Sequence, residues 1–328
     1  MHCAGPPGAD GADGGHGEPL RVAAAGRQAF EGSSDAALDP MLRSYLSDLV
    51  APYGLGLRED LLGQGRGQSY GEMAGALLTQ TMPPGQPVDL IVLAFAVHDV
   101  VPGRSTAAHL SYLCPGAPMA FAVCDQGTAA PFAALRLIRE YARGGSCQRA
   151  LLVVVEQETL HYELAAPGVL PTRGAAVALL CGPAGAGRLA AVRQHAGVSA
   201  AQAGDLLASE LAALAAGRDD VTLIVGGSLA GLIGAVASPG PRTGRSNGGR
   251  SGGQQLLPPG VPAIDQVLVA PAGQPSTGVW WELAGGLPDW TARGRRVLLA
   301  DYEPELRYLS VSAIDVEASP VVGARQVR

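Results

Sequence analysis

A thiol and a hydroxyl lie close together just before a long helical segment of this sequence, and both groups can act as nucleophiles. The run MAFAVCDQGTAAPFAALRLIREYAR places Cys124 at the end of an apolar strand and Thr128 four residues later, at the turn into helix 129–143. A helix N-terminus offers unpaired backbone N–H groups and the positive end of a dipole, which stabilise a thiolate or an oxyanion. The pattern therefore indicates a candidate nucleophile at this turn.

A nucleophilic hydroxyl needs a base, and histidine is the side chain most often used. His98 ends the second apolar strand, on the sheet edge where the turn of Thr128 is expected. Thr128, Cys124 and His98 are thus the candidate catalytic residues. Each nucleophile also has a structural interpretation: Thr128 as the N-cap of the helix, and Cys124 as a small buried apolar side chain.

Two further groups of residues can be tested for chemistry. Glu156 and Glu158 stand at period two on a strand end, so they are either paired acid–base carboxylates or a solvated strand terminus. The five cysteines are scattered, odd in number and without a CxxC pair, which predicts neither a metal site nor a disulfide framework.

Short apolar strands alternate with helices along the chain, which predicts α/β structure with a largely parallel sheet buried on both faces. In residues 20–183 the predicted strands are LRVAAAG, VDLIVLAFAV, MAFAVCD, ALLVVVEQE and GAAVALLCG, and the helices are 40–50, 70–81, 105–113 and 129–144. In residues 184–328 the strands are LAAVRQH, VTLIVGG, IDQVLVAPA, RRVLLAD and YLSVSAID, and the helices are 199–217 and 278–287. The two halves thus repeat one β/α unit.

The order and spacing of these elements in residues 88–158 resemble the core of β-ketoacyl-[acyl-carrier-protein] synthase III, in the thiolase superfamily. The resemblance extends over about residues 20–317. It implies a thiolase-like fold of two β/α repeats, with helices layered between and outside two mixed sheets in an αβαβα arrangement.

The residues that carry chemistry in that family do not match. The resemblance implies a cysteine at the nucleophile turn, where this chain has Thr128 or, in the other register, Gly127. It implies a histidine where Gly226 stands and an asparagine where Gln274 stands. Residues 302–305 replace the family's Gly-rich turn near the C-terminus. The resemblance is therefore to a condensing enzyme with a degenerate active site.

The resemblance implies a ketosynthase-like protein of polyketide or fatty-acid-type biosynthesis, acting as a non-condensing partner subunit of an active ketosynthase. An acyltransferase that moves an acyl group from acyl carrier protein or coenzyme A to an alcohol or amine is the alternative. A module that only binds an acyl ligand is a third possibility. A homodimer, or a heterodimer with an active ketosynthase, is implied, with no resident cofactor; acyl-CoA or the phosphopantetheine of acyl carrier protein is the implied substrate.

Composition narrows the function classes further. Of the 328 residues, 47% are hydrophobic, which indicates a sizeable core. The net charge of −6 argues against nucleic acid or an anionic membrane as partner. Residues 1–19 are predicted to form a disordered tail and not a secretion signal, and residues 238–256 a flexible loop. The apolar run 221–237 is predicted to be a buried strand turning into a buried helix. We expect a cytoplasmic protein.

Overall fold

A computed structural model describes residues 19–164, 170–234 and 264–318, so it covers neither residues 1–18 of the predicted tail nor the predicted loop 238–256. The strands in these ranges are β1 Arg21–Phe30, β2 Leu90–Ala94, β3 Met119–Val123, β4 Ala150–Glu156, β5 Gly174–Gly182, β6 Gly187–His195, β7 Val221–Val225, β8 Gln266–Val269, β9 Arg295–Glu303 and β10 Tyr308–Val316. The helices are α1 Pro40–Val50, α2 Glu59–Gly63, α3 Tyr70–Thr81, α4 Thr106–Leu113, α5 Ala130–Arg143, α6 Ala200–Ala215, α7 Gly227–Ile233 and α8 Gly278–Thr291.

The strands have an internal two-fold order. Hydrogen bonding runs β3-β2-β4-β5-β1 in the first half and β6-β10-β9-β7-β8 in the second, so each half has the same sequence of neighbours counted from its outer edge. In both halves the outer pairs are parallel and the inner pairs antiparallel. Two residue pairs between β1 and β6 join the halves into one continuous sheet, where two separate sheets were expected.

The core is layered because successive strand residues point to opposite faces. In β4, Ala150, Leu152 and Val154 join a central cluster with α5 and α8. The alternate residues of β4 join an outer cluster with α3 and α4. The second half is arranged in the same way, with α6 and α7 on its outer face. Helices thus lie between the two halves of the sheet and outside each half, as the αβαβα prediction requires.

Local sequence explains where the main helices begin. Ser69 caps α3 by accepting a hydrogen bond from the N–H of Glu72, whose side chain accepts in return from the Ser69 N–H. Ser105 caps α4 by accepting from the N–H of Ala108, and at the start of α6 the Gln202 side chain accepts from the N–H of Ser199. These caps satisfy N–H groups that the first helical turn leaves without partners.

The apolar run 221–237 contains β7 followed by α7 as far as it is described, which confirms the predicted buried strand and the helix after it. The predicted burial of that helix is wrong, because only Leu229 and Ala230 of α7 are buried. Within the described ranges, no helix has the length and apolar character that crossing a bilayer requires. The short helix α2 was not predicted.

Candidate functional site

The turn between β3 and α5 is sharply bent. Asp125 and Gly127 both have positive φ, at 58° and 51°. A single 3-10 turn over Gly127–Ala129 then leads into α5, with Pro131 in its first turn. This backbone places Thr128 in the central layer, where its side chain is 8% exposed.

Thr128 does not cap the helix. Its hydroxyl oxygen is buried and has no hydrogen-bond partner, and α5 has Ala129 at its N-cap with no side-chain bond there. The N–H of Thr128 instead donates to the Glu303 carboxylate, 2.8 Å from nitrogen to oxygen. The interpretation of Thr128 as N-cap is therefore wrong, and a carboxylate from β9 serves that end of the helix.

Carboxylates also fill the space beside two glycines at the family's catalytic positions. A Cβ on Gly127 would overlap the carboxylate of Glu303, and a Cβ on Gly226 would overlap the carboxylate of Asp301. The resemblance implies a histidine at position 226, and the Asp301 side chain occupies the room that a side chain there needs. Asp301 is held by the N–H of Tyr302 at 2.8 Å.

A third carboxylate occupies the N-terminus of α8. Glu156 is fully buried and accepts from the N–H of Ser276 at 2.8 Å and from the hydroxyl of Thr277. The amide of Gln274 donates to the Thr277 hydroxyl oxygen at 3.1 Å. Arg173 in turn donates to the side-chain amide oxygen of Gln274 at 2.6 Å. The position of the family's asparagine is thus part of a network that orients Glu156.

The two helix contacts are reciprocal between the halves. Glu156 is the last residue of β4 in the first half, and it caps α8 of the second. Glu303 is the last residue of β9 in the second half, and it meets the turn before α5 of the first. Each central helix is therefore completed by a carboxylate from the other half.

Burial sets the electrostatics of this carboxylate cluster, which consists of Glu156, Asp301 and Glu303. Desolvation raises the pKa of Glu156 to about 7, although its hydrogen bonds and the charge of Arg173 oppose the rise. Desolvation also raises the pKa of Asp301 well above its usual range, against the bond from Tyr302 and together with the charges of Glu303 and Glu156. Glu156 and Asp301 can therefore retain protons near neutral pH.

The arrangement leaves neither central helix N-terminus free. The two helix N-termini that could stabilise a thiolate or an oxyanion already hold Glu303 and Glu156. The positions expected to carry cysteine, histidine and asparagine hold Thr128, Gly226 and Gln274, and the structure links all three to the carboxylate cluster.

In the part of the chain that the structure describes, no hydrogen bond joins the other two candidates to the cluster. Cys124 donates to Asp125 at 3.3 Å, and burial together with that carboxylate raises the pKa of the thiol, which disfavours a thiolate. His98 is exposed, and its backbone carbonyl accepts from Gln157 at 2.7 Å. Among the described residues, no hydrogen bond joins His98 to Thr128. Thr128, Cys124 and His98 remain predictions as catalytic residues.

Glu156 and Glu158 do not work as a pair. Glu156 points into the central layer, whereas Glu158 lines a small separate cavity with Phe30, Gly67 and Met73. Both sequence interpretations of this strand end are therefore incomplete, because Glu156 is neither solvated nor matched with Glu158.

Sequence reasoning missed Asp301 and assigned residues 302–305 only as a replaced turn. The alternation of side chains along the strand could have identified both acidic residues. Asp301 and Glu303 continue the alternation of Val297 and Leu299, which face the central layer. Acidic residues at inward positions of an apolar strand are rarely buried without a partner or a function.

No group of three or more histidine, cysteine or acidic side chains is placed to hold a metal ion in the parts of the chain that the structure describes. The carboxylate cluster is instead bound by backbone N–H groups and a hydroxyl, as set out above.

Comparison with known proteins gives likeness in structure only. No protein-family model and no curated protein matches the chain. Among solved structures, the acyltransferase ChlB3 is similar over 92% of this chain and 98% of its own, at 16% identity and a TM-score of 0.57. AbyA1, a tetronic acid condensing enzyme, is similar over 90% of this chain and 99% of its own, at 18% identity and a TM-score of 0.58.

The 3-oxoacyl-(acyl carrier protein) synthase III FabH from Pseudomonas aeruginosa PAO1 is similar over 92% of this chain and 99% of its own, at 18% identity and a TM-score of 0.52. These alignments span nearly the full length of each protein, and they agree with the repeated strand order described above. The chain has the thiolase-like fold, and its resemblance to β-ketoacyl synthase III is confirmed at the level of that fold.

Proposed function

We propose that this protein is a non-condensing, ketosynthase-like partner subunit of an active ketosynthase in polyketide or fatty-acid-type biosynthesis. One observation carries the proposal: the protein's own carboxylates, Glu303 and Glu156, occupy the N-termini of both central helices. A substrate carbonyl would have to displace a hydrogen-bonded carboxylate to reach either helix end, so acyl condensation here is disfavoured.

The free edge of β3 supports a partner role. Among the described strands, β3 pairs only with β2 and leaves its other side open. Met119 on this strand is 47% exposed, and Tyr112 and Leu113 of the preceding α4 are 87% and 46% exposed. An unpaired strand edge beside exposed apolar side chains is a site at which another chain can add. We place the partner at this edge.

Co-expression with a complete ketosynthase from the same genome tests the partner role. We expect a stable complex on size-exclusion chromatography. Met119→Asp should abolish the complex because it puts a charge at the proposed interface. Leu306→Asp, at a residue of similar exposure (43%) in the turn between β9 and β10, should leave it intact.

A protein that stays alone with every ketosynthase tried would contradict the partner role. So would equal complex formation by both variants.

A second function, acyl transfer to an alcohol or amine, is favoured by the state of Thr128. Its hydroxyl is buried without a hydrogen-bond partner, and its own N–H contacts the Glu303 carboxylate. A carboxylate that accepted the hydroxyl proton would activate the oxygen to attack an acyl thioester, with release of the thiol. Acyl-CoA or acyl carrier protein would supply the acyl group.

Intact-mass measurement after incubation with acyl thioesters distinguishes the two functions. The partner role predicts no acyl adduct, while acyl transfer predicts an adduct that Thr128→Ala removes and Thr128→Ser retains. An adduct that persists in Thr128→Ala and is lost in Cys124→Ala would assign the thiol instead.

A further inference from the structure

An arginine-lined cavity of about 260 Å³ lies at the end of the sheet remote from the carboxylate cluster. Its walls include Arg188 of β6, Arg218 before β7 and Arg295 at the start of β9. Glu303 ends the same strand eight residues later, which corresponds to about 26 Å along an extended chain. The cavity is therefore separate from the site described above.

Arg296 binds both oxygens of the central carboxylate of this region. Asp315 is 6% exposed and accepts from Arg296 Nε at 2.7 Å and from Arg296 Nη2 at 2.9 Å, one bond to each carboxylate oxygen. Arg188 also donates to Asp315, and Arg218 lies 3.4 Å from it. One guanidinium group can bind both oxygens of a carboxylate, so Arg188 and Arg218 are two more than Asp315 requires.

Two other charged residues of the cavity wall form ion pairs with residues outside it. Arg295 pairs with Asp265 at 3.1 Å, and Glu317 pairs with Arg21 at 2.6 Å. Asp220 is the remaining acidic residue of the cavity wall. Three arginines and three carboxylates thus line the cavity, and Arg296 adds a fourth guanidinium group through its bonds to Asp315.

The protonation behaviour of Asp315 agrees with a positive field. Burial raises its pKa, but the hydrogen bond and charge of Arg296, with the charges of Arg218 and Arg188, outweigh burial and lower the pKa overall. The side chains of Arg188 and Arg218 are 37% and 43% exposed, so a ligand can reach them.

We propose that this cavity binds a small tetrahedral oxyanion, namely inorganic phosphate or the phosphate of a phosphomonoester. Guanidinium groups bind phosphate oxygens through paired N–H donors, and Arg188 and Arg218 retain donors that Asp315 does not use.

Isothermal titration of the full chain with inorganic phosphate tests the proposal. We expect saturable binding that Arg218→Gln weakens about tenfold, because one charge-assisted contact is lost. Arg218 is the residue to change because it only flanks Asp315, so the fold should survive. Arg66→Gln, at an exposed arginine on another part of the surface, is the matched control and should bind as the wild type does.

Two further arms identify the ligand class. Glycerol phosphate in place of inorganic phosphate shows whether an ester is accepted, and either result keeps the shared phosphate chemistry. Phosphate should raise the melting temperature of the protein, because a ligand that binds the folded state stabilises it. Sodium chloride at equal ionic strength should not produce this rise. Lack of saturable phosphate binding, an unchanged Arg218→Gln variant, or an equal shift with sodium chloride would each overturn the assignment.

Discussion

Gly226 and Asp301 show how one residue position depends on another at this site. Gly226 has φ of −66°, which any residue adopts, so its backbone does not require glycine. The carboxylate of Asp301 does require glycine at position 226, because it occupies the space that a Cβ there would fill. The pair excludes a histidine at position 226 as long as Asp301 is present.

Gly226→Ala should lower the free energy of unfolding by about 1–3 kcal/mol, the range for overpacking a close-packed interior. Gly231→Ala, in exposed α7 with open space around the added Cβ, should raise it by up to about 1 kcal/mol. Urea denaturation of both variants measures the contrast. If Asp301→Ala in the same chain does not relieve the cost at position 226, the collision is not its cause.

At the scale of elements, α5 and α8 hold the two halves together. Phe132 of α5 and Trp280 of α8 meet edge to face with ring centroids 5.0 Å apart, and both are almost fully buried. Aromatic contacts of this geometry add to the stability that burial itself provides.

Phe132→Ala should cost about 3–5 kcal/mol because it removes a buried ring between two helices that cannot collapse into the space. Leu232→Ala, at a side chain that is 45% exposed, should cost less than about 1 kcal/mol. Thermal and chemical denaturation compare them, and equal losses would show that this contact does not join the halves.

The sequence predicted most elements because apolar strands and capped helices are local signals. The predicted helices 70–81, 105–113 and 129–144 match α3, α4 and α5 to within one residue at their ends. The sequence could not predict that Glu156 and Glu303 reach helices of the opposite half, because such contacts join residues 120 and 175 positions apart. Chemistry at the site depends on these distant pairs.

For the whole molecule, the buried carboxylates make stability depend on pH. The pKa of Glu156 is raised to about 7 in the folded state, so the folded protein retains a proton that the unfolded chain releases at lower pH. Its contribution is fully present below the unfolded pKa and falls as pH rises toward 7. Asp301 acts in the same direction.

Glu156→Gln removes this dependence because an amide does not titrate. Relative to wild type, the variant should gain stability between about pH 4.5 and 7, on the order of 3 kcal/mol. Urea denaturation at several pH values measures the difference, and Glu140→Gln, at an exposed carboxylate of α5, controls for net charge. A constant difference across this range would contradict a proton held on Glu156.

The exchange of carboxylates between halves also bears on how such a chain can arise. Two copies of a half-length protein around a two-fold axis would make these same contacts between subunits. A carboxylate of each copy would then bind the N-terminus of the central helix of the other copy. Joining the copies by gene duplication turns a symmetric assembly into one polypeptide whose repeats can diverge in composition. It also means that neither repeat, expressed by itself, carries everything its own central helix needs.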